Sequence, residues 1–177
     1  TRAFVGEFNR TGGKKFLKYF PLNENTATTF TSGFINAEGG YTLGGFSNNS
    51  IFVTQISPNA TVLKTTKTVV TGIQPSGREL IQLTNGNLGY LISPYYDNSE
   101  DIRSRIYAFD DQGVALGFDY IDLAKKNFAP GSAPYFGNGL VQKDDGTFIG
   151  LMMPSYGDDS NPGGYIYANY RQPSYGY

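Results

Sequence analysis

The sequence predicts an all-β fold of four-stranded antiparallel repeats, with incomplete units at both ends. Three observations predict it: short runs alternating apolar and polar residues, glycine turns between those runs, and recurrence of the whole pattern along the chain. Among 177 residues, Gly occurs 23 times, Tyr 14 and Phe 13. That mixture suits many short strands joined by tight turns, and it lacks the Ala/Leu/Glu/Lys bias of a helical protein.

The elements follow in order. A partial unit over residues 1–30 holds a strand from Ala3 to Phe8, a turn at Arg10-Thr11-Gly12-Gly13, and a strand from Lys15 to Phe20. The next unit, 31–75, opens with the hairpin Gly33-Phe34-Ile35-Asn36-Ala37-Glu38-Gly39-Gly40-Tyr41-Thr42-Leu43. It continues with Ile51 to Ile56, the turn Pro58-Asn59-Ala60, and Thr61 to Val70. A third unit, 76–128, begins with Leu80-Ile81-Gln82-Leu83-Thr84-Asn85-Gly86-Asn87-Leu88-Gly89-Tyr90-Leu91. Arg105 to Phe109, the turn Asp110-Asp111-Gln112-Gly113 and Val114 to Ile121 complete it. The last, partial unit, 129–177, has a hairpin over Leu140-Val141-Gln142-Lys143-Asp144-Asp145-Gly146-Thr147-Phe148-Ile149-Gly150, then a strand from Tyr165 to Tyr170 and a stub. Period-two alternation bounded by Gly, Pro, Asn and Asp marks half-buried strands. Asn-Gly and Asp-Gly between apolar runs predict two-residue turns whose central residues both take positive φ. Gly40, Gly86 and Gly146 recur 46 and 60 residues apart, the length of one repeat. All of this reads as a single repeat domain.

In the second unit, Glu38-Gly39-Gly40-Tyr41-Thr42-Leu43-Gly44-Gly45-Phe46, Ile51-Phe52-Val53-Thr54-Gln55-Ile56 and Pro58-Asn59-Ala60-Thr61-Val62-Leu63-Lys64 resemble one blade of secreted bacterial β-propeller repeat proteins. The third unit matches more loosely and the last in part. The chain departs from that pattern in lacking the Trp common in the closing strand and in carrying Ser57 where an acidic residue is usual. The resemblance implies a β-propeller-like architecture, an extracellular or cell-surface setting, and recognition more than catalysis. It supplies no functional residues.

Charge and composition exclude several function classes. Lys and Arg number 14 against 15 Asp and Glu, without the basic clustering that nucleic acid requires. Cys, His and Trp are absent, so thiolate and imidazole chemistry, disulfides and the usual zinc ligands are excluded. No apolar run approaches the roughly 20 residues of a membrane-spanning helix. The start at Thr1, with no charged-then-apolar leader, reads as a mature, processed or fragmentary chain.

About three blades' worth of strands is too few for a closed ring, which takes four to eight blades. The expectation is therefore either a piece of a longer array or completion between chains, giving a homo-oligomer or polymer by head-to-tail contact. Candidate assembly residues are Phe4 and Phe8 in the first hairpin and Tyr165, Tyr167, Tyr170, Tyr175 and Tyr177 in the tail, because aromatic side chains carry large contact area.

Two loops concentrate polar chemistry: Tyr95, Tyr96, Asp97, Asn98 and Asp101 in one, Tyr156, Asp158, Asp159 and Asn161 in the other. Tyr beside Asp and Asn suits glycan stacking and hydrogen bonding. Oxygen-rich loops can also hold calcium, though neither has the spacing of a known calcium loop, and a solvated turn is the simpler reading. Asp97, Asp101, Asp158 and Asp159 are the only carboxylates suited to glycoside hydrolysis. Asp110, Asp111, Asp144 and Asp145 read as turn residues, and Lys14, Lys15 and Lys18 as a solvated strand face. Sequons at Asn9, Asn48 and Asn59 fall in predicted turns and are candidate glycosylation sites. The expected function is a non-catalytic, extracellular structural or adhesive protein. A carbohydrate-binding module and a fragment of a secreted glycoside hydrolase are the alternatives. No resident cofactor or metal is expected.

Overall fold

The structure, a computed structural model, describes residues 2–21, 25, 27–70, 75–94, 105–120, 135–153 and 166–171. Among them there is no helix, and the strands form four antiparallel sheets, none closed on itself. The first sheet pairs β1 (Phe4–Phe8) with β2 (Lys14–Tyr19). The second is a meander of β3 (Thr29–Ile35), β4 (Tyr41–Ser47), β5 (Ser50–Ile56) and β6 (Val62–Val69). The third repeats it with β7 (Pro75–Gln82), β8 (Leu88–Pro94), β9 (Arg105–Phe109) and β10 (Ala115–Tyr120). The fourth contains β11 (Tyr135–Gln142), β12 (Thr147–Met153) and β13 (Ile166–Arg171).

One turn design recurs. In Asn9–Gly13, Asn36–Gly40, Ser57–Thr61, Leu83–Asn87 and Asp110–Val114, the first residue's N–H donates to the fifth residue's carbonyl. The fourth residue's N–H returns to the first residue's carbonyl. That fourth residue is left-handed each time: φ is 82° at Gly12, 76° at Gly39, 65° at Ala60, 87° at Gly86 and 77° at Gly113. Gly146 takes φ 80° and donates to the Lys143 carbonyl in the same way. This corrects the two-residue turn expected from Asn-Gly and Asp-Gly. Asn85 and Asp145 do not share the positive φ, because an ordinary turn followed by one left-handed residue already matches the strand twist through a bulge. The first side chain caps the turn where it is polar. Asn36 Oδ1 accepts from Gly40 N–H at 2.9 Å, and Asp110 Oδ1 from Val114 N–H at 2.7 Å.

Ala60 is the one non-glycine in this left-handed position. Its Cβ costs roughly 1–2 kcal/mol there, partly offset by the extra unfolded-state entropy of a glycine. Ala60→Gly should therefore raise stability by roughly 0.5–1 kcal/mol in urea denaturation; no gain would count against the assigned conformation.

The sheets stack face to face in chain order. Because side chains alternate along a strand, each sheet has two faces. On the second sheet, Tyr41, Leu43, Phe30 and Ile56 meet Ala3, Val5 and Phe20 of the first sheet's hairpin. Its opposite face, with Phe34, Phe46, Ile51, Val53 and the adjoining Val70, meets Leu80, Leu88, Tyr90, Ile92, Tyr107 and Phe109 of the third. Leu43-Gly44-Gly45-Phe46 sits at the centre of this sandwich. A Cβ on Gly44 would lie 2.9 Å from Leu80 Cβ, and one on Gly45 would lie 2.6 Å from Ala27 Cβ. Glycine is required at Gly44 because the third sheet approaches its backbone, and at Gly45 because Ala27, the Thr29 carbonyl and Phe30 crowd it from the first strand of its own sheet and the segment just before it.

Bonds between first strands fix the order. The Ser32 hydroxyl of β3 accepts the Leu80 N–H of β7, and Glu79 Oε2 of β7 accepts the Leu140 N–H of β11 at 2.7 Å. Ser32 and Glu79 each follow a bulge in their own strand, so one linkage is made twice at equivalent positions. Gln55 Nε2 donating to the Asp111 carbonyl (2.8 Å) and Thr84 N–H donating to Gln142 Oε1 (2.8 Å) add further ties between successive sheets.

Candidate functional site: the open face of the first sheet

In the first sheet Phe4 pairs with Tyr19, Gly6 with Leu17, and Phe8 with Lys14. Ala3 and Val5 turn towards the second sheet, so alternation directs Phe4 and Phe8 away from it. Phe4, Phe8 and Tyr19 are 60, 56 and 57% exposed, and the Phe4 and Tyr19 rings lie 6.0 Å apart.

The third sheet shows what this face is equivalent to. Its β9–β10 hairpin closes with the same turn and the same bulge as β1–β2. Matching the turns superposes Phe8 on Phe109, Gly6 on Tyr107, Phe4 on Arg105 and, through the registers, Leu17 on Phe118. In the third sheet this is the face that receives the preceding sheet. Phe109 is 1% and Tyr107 5% exposed, Tyr107 stacks on Phe118 at 5.0 Å, and the Arg105 guanidinium lies 5.1 Å from the Phe118 ring centroid. The first sheet presents an equivalent face with no sheet over it among the described residues.

The covered side of the same hairpin is held by Glu7. Its carboxylate pairs with Lys15 and accepts the Tyr41 hydroxyl at 2.6 Å, while Phe16 meets Tyr41 edge-on at 6.0 Å. The Lys15 ammonium, and then the Tyr41 hydroxyl, hold the Glu7 carboxyl below its ordinary value; Glu7 in turn raises the Tyr41 phenol. A lowered carboxyl pKa stabilises the folded state above the unfolded value and ceases to do so as pH falls through the lowered one. Acidification below 4.5 should therefore loosen the first sheet from the second. Amide exchange in β1 and β2 should rise relative to β8 and β9, and Glu7→Gln should flatten that dependence. A pH-independent ratio in the unsubstituted chain would contradict it.

Tyr95, Tyr96, Asp97, Asn98, Asp101, Tyr156, Asp158, Asp159, Asn161, Tyr165, Tyr175 and Tyr177 lie outside the described residues. Tyr167 and Tyr170 stand on β13, registered with Leu151 and Phe148. Asn9, Asn48 and Asn59 are exposed in turns. Asn9 Oδ1 accepts from the Thr11 and Gly13 N–H groups, Asn48 takes φ 48°, and Asn59 accepts the Ser57 hydroxyl. Lys15 is engaged by Glu7 and Lys143 by Asp145 at 3.3 Å. Sequence reasoning did not single out Tyr19 and Leu17 on the open face, nor Ser32 and Glu79 between sheets; for Tyr19, its alternation with Leu17 carried the signal.

Among the described residues no group of three or more His, Cys, Asp or Glu is gathered to hold a metal, and no helix is long and apolar enough to cross a membrane. No family model matches the chain, and no curated protein matches it.

Proposed function

We propose that this chain is a non-catalytic structural or adhesive repeat protein of the extracellular space or cell surface, arranged as successive blades of a β-propeller-like stack, that works by associating with copies of itself. The observation that carries this reading is the chain-ordered stack itself: first strands β3, β7 and β11 adjoin, while an equivalent aromatic face stays open on the first sheet. Large exposed apolar patches on soluble proteins mark interaction surfaces. Four of the described acidic groups support a scaffold: Glu7, Glu79, Asp110 and Asp145 make bonds that hold turns or sheets. Light scattering on the native protein should give at least twice the chain mass; a concentration-independent monomer would remove self-association from the reading.

Carbohydrate binding is the second reading, favoured by one point of topology. The loops carrying Tyr95 to Asp101 and Tyr156 to Asn161 both join the second strand of their sheet to the third, in adjacent sheets. They spring from the pairs Ile92–Arg105 and Met152–Ile166. Binding on a glycan array that Asp97→Ala or Asp158→Ala abolishes would support it, and an array without binding would dismiss it.

A further inference from the structure

We infer that the open face of the first sheet receives the fourth sheet of a second copy, so that chains join head to tail by continuing the internal stack. The inference rests on the self-association proposed above and names its two surfaces. Within one chain, each receiving face is covered by the presenting face of the sheet before it. The face of β9 is covered by Ile51 and Val53 of the second sheet, which bury Tyr107 and Phe109 while Phe118 on β10 stays 41% exposed, and the face of the second sheet by Val5 and Phe20 of the first. The first sheet keeps an equivalent receiving face uncovered at Phe4, Phe8 and Tyr19. At the other end Leu140 of β11 is 3% exposed and its N–H bonds Glu79 of the third sheet, while its neighbour Val141 is 61% exposed. Alternation puts Val141 on the presenting side. Among the described residues, the first sheet thus leaves its receiving face open and the fourth leaves Val141 exposed on its presenting side.

Strand exchange fits less well than face stacking. Adding β1 and β2 to the three described strands of the fourth sheet would make five, where the second and third sheets have four. Stacking needs no rearrangement of either sheet. It is also heterologous: the two surfaces differ, so contacts propagate into a ring or an open filament.

The test uses Phe4→Lys, which places a charge in the receiving face, and Val141→Lys, which does so in the presenting face. Both sites are exposed, and circular dichroism with thermal melts confirms that each variant folds. In sedimentation velocity the unsubstituted chain should form species of increasing size with concentration. Each variant alone should associate about thirtyfold more weakly, the loss expected for a central interface residue. An equimolar mixture should recover a complex that stops at two chains, because each variant retains one intact surface. Val141→Lys associating as well as the unsubstituted chain would overturn the proposal in favour of a symmetric contact between first sheets, leaving self-association intact. A monomeric unsubstituted chain would overturn both.

Discussion

Replacing Tyr90 by alanine should lower the free energy of unfolding by about 3–5 kcal/mol, the range for deleting a large buried aromatic side chain. Tyr90 is fully buried in the cluster that joins the second sheet to the third, and its hydroxyl bonds with Thr31 Oγ1 at 2.8 Å across the two sheets. The alanine variant loses the ring from both sheets at once, leaving a cavity that packed strands close only in part. Tyr90→Phe keeps the ring and removes one hydrogen bond, so its cost should be about 1 kcal/mol. The two substitutions separate packing from hydrogen bonding. Burial drives the Tyr90 phenol well above its ordinary range, against the weaker opposing effect of the Thr31 bond. A phenol whose pKa is raised by folding contributes fully below the unfolded value of 10 and loses that contribution as pH rises above it. Urea denaturation should show stability falling above pH 10, less steeply in Tyr90→Phe. A Tyr90→Ala cost under about 1 kcal/mol would mean the ring is not between the sheets.

Gly44→Ala should cost about 1–3 kcal/mol although it adds a single methyl group. That methyl would lie 2.9 Å from Leu80 Cβ and 3.0 Å from Tyr90 Cε2 and Cζ. Leu80 Cβ is fixed to the β7 backbone and the Tyr90 ring is enclosed, so the two sheets must separate locally. The part of the clash made with the ring disappears if Tyr90 is also removed, while the contact with Leu80 Cβ remains. In the double variant Gly44→Ala/Tyr90→Ala the methyl enters the space left by the ring, and the combined cost should fall below the sum by roughly 0.5–3 kcal/mol. Strict additivity, measured in urea, would argue that Gly44 and Tyr90 do not touch.

The third strands were legible in the sequence nearly residue by residue, but the first strands were read short: hairpins opened at Gly33, Leu80 and Leu140 belong to Thr29–Ile35, Pro75–Gln82 and Tyr135–Gln142. Alternation places strands at Ile51 to Ile56 and Arg105 to Phe109, and the structure has Ser50–Ile56 and Arg105–Phe109. Short apolar runs with a turn at each end leave little room for error. The turns were found but misassigned in type, since Asn-Gly occurs in both a two-residue turn and a longer bulged one, and only φ distinguishes them. Alternation also does not say which sheet covers which face. Phe4 and Tyr107 sit in similar patterns, yet Tyr107 is covered by the second sheet and Phe4 is open. The same limit hid Ser32 and Glu79, whose partners Leu80 and Leu140 lie 48 and 61 residues away. In sequence, a polar residue after a bulge looks like any other solvated strand position.

The open receiving face has meaning only if the sheets pack face to face in chain order. Proton–proton nuclear Overhauser effects test that packing most directly. The Gly44 Hα protons should show strong cross-peaks to the Tyr90 ring, and the Ile56 methyls should show them to Ala3 or Phe20, linking the second sheet to the third and to the first. Cross-peaks within each sheet but none between them would mean independent meanders, and would contradict both the stack and the interface continued from it.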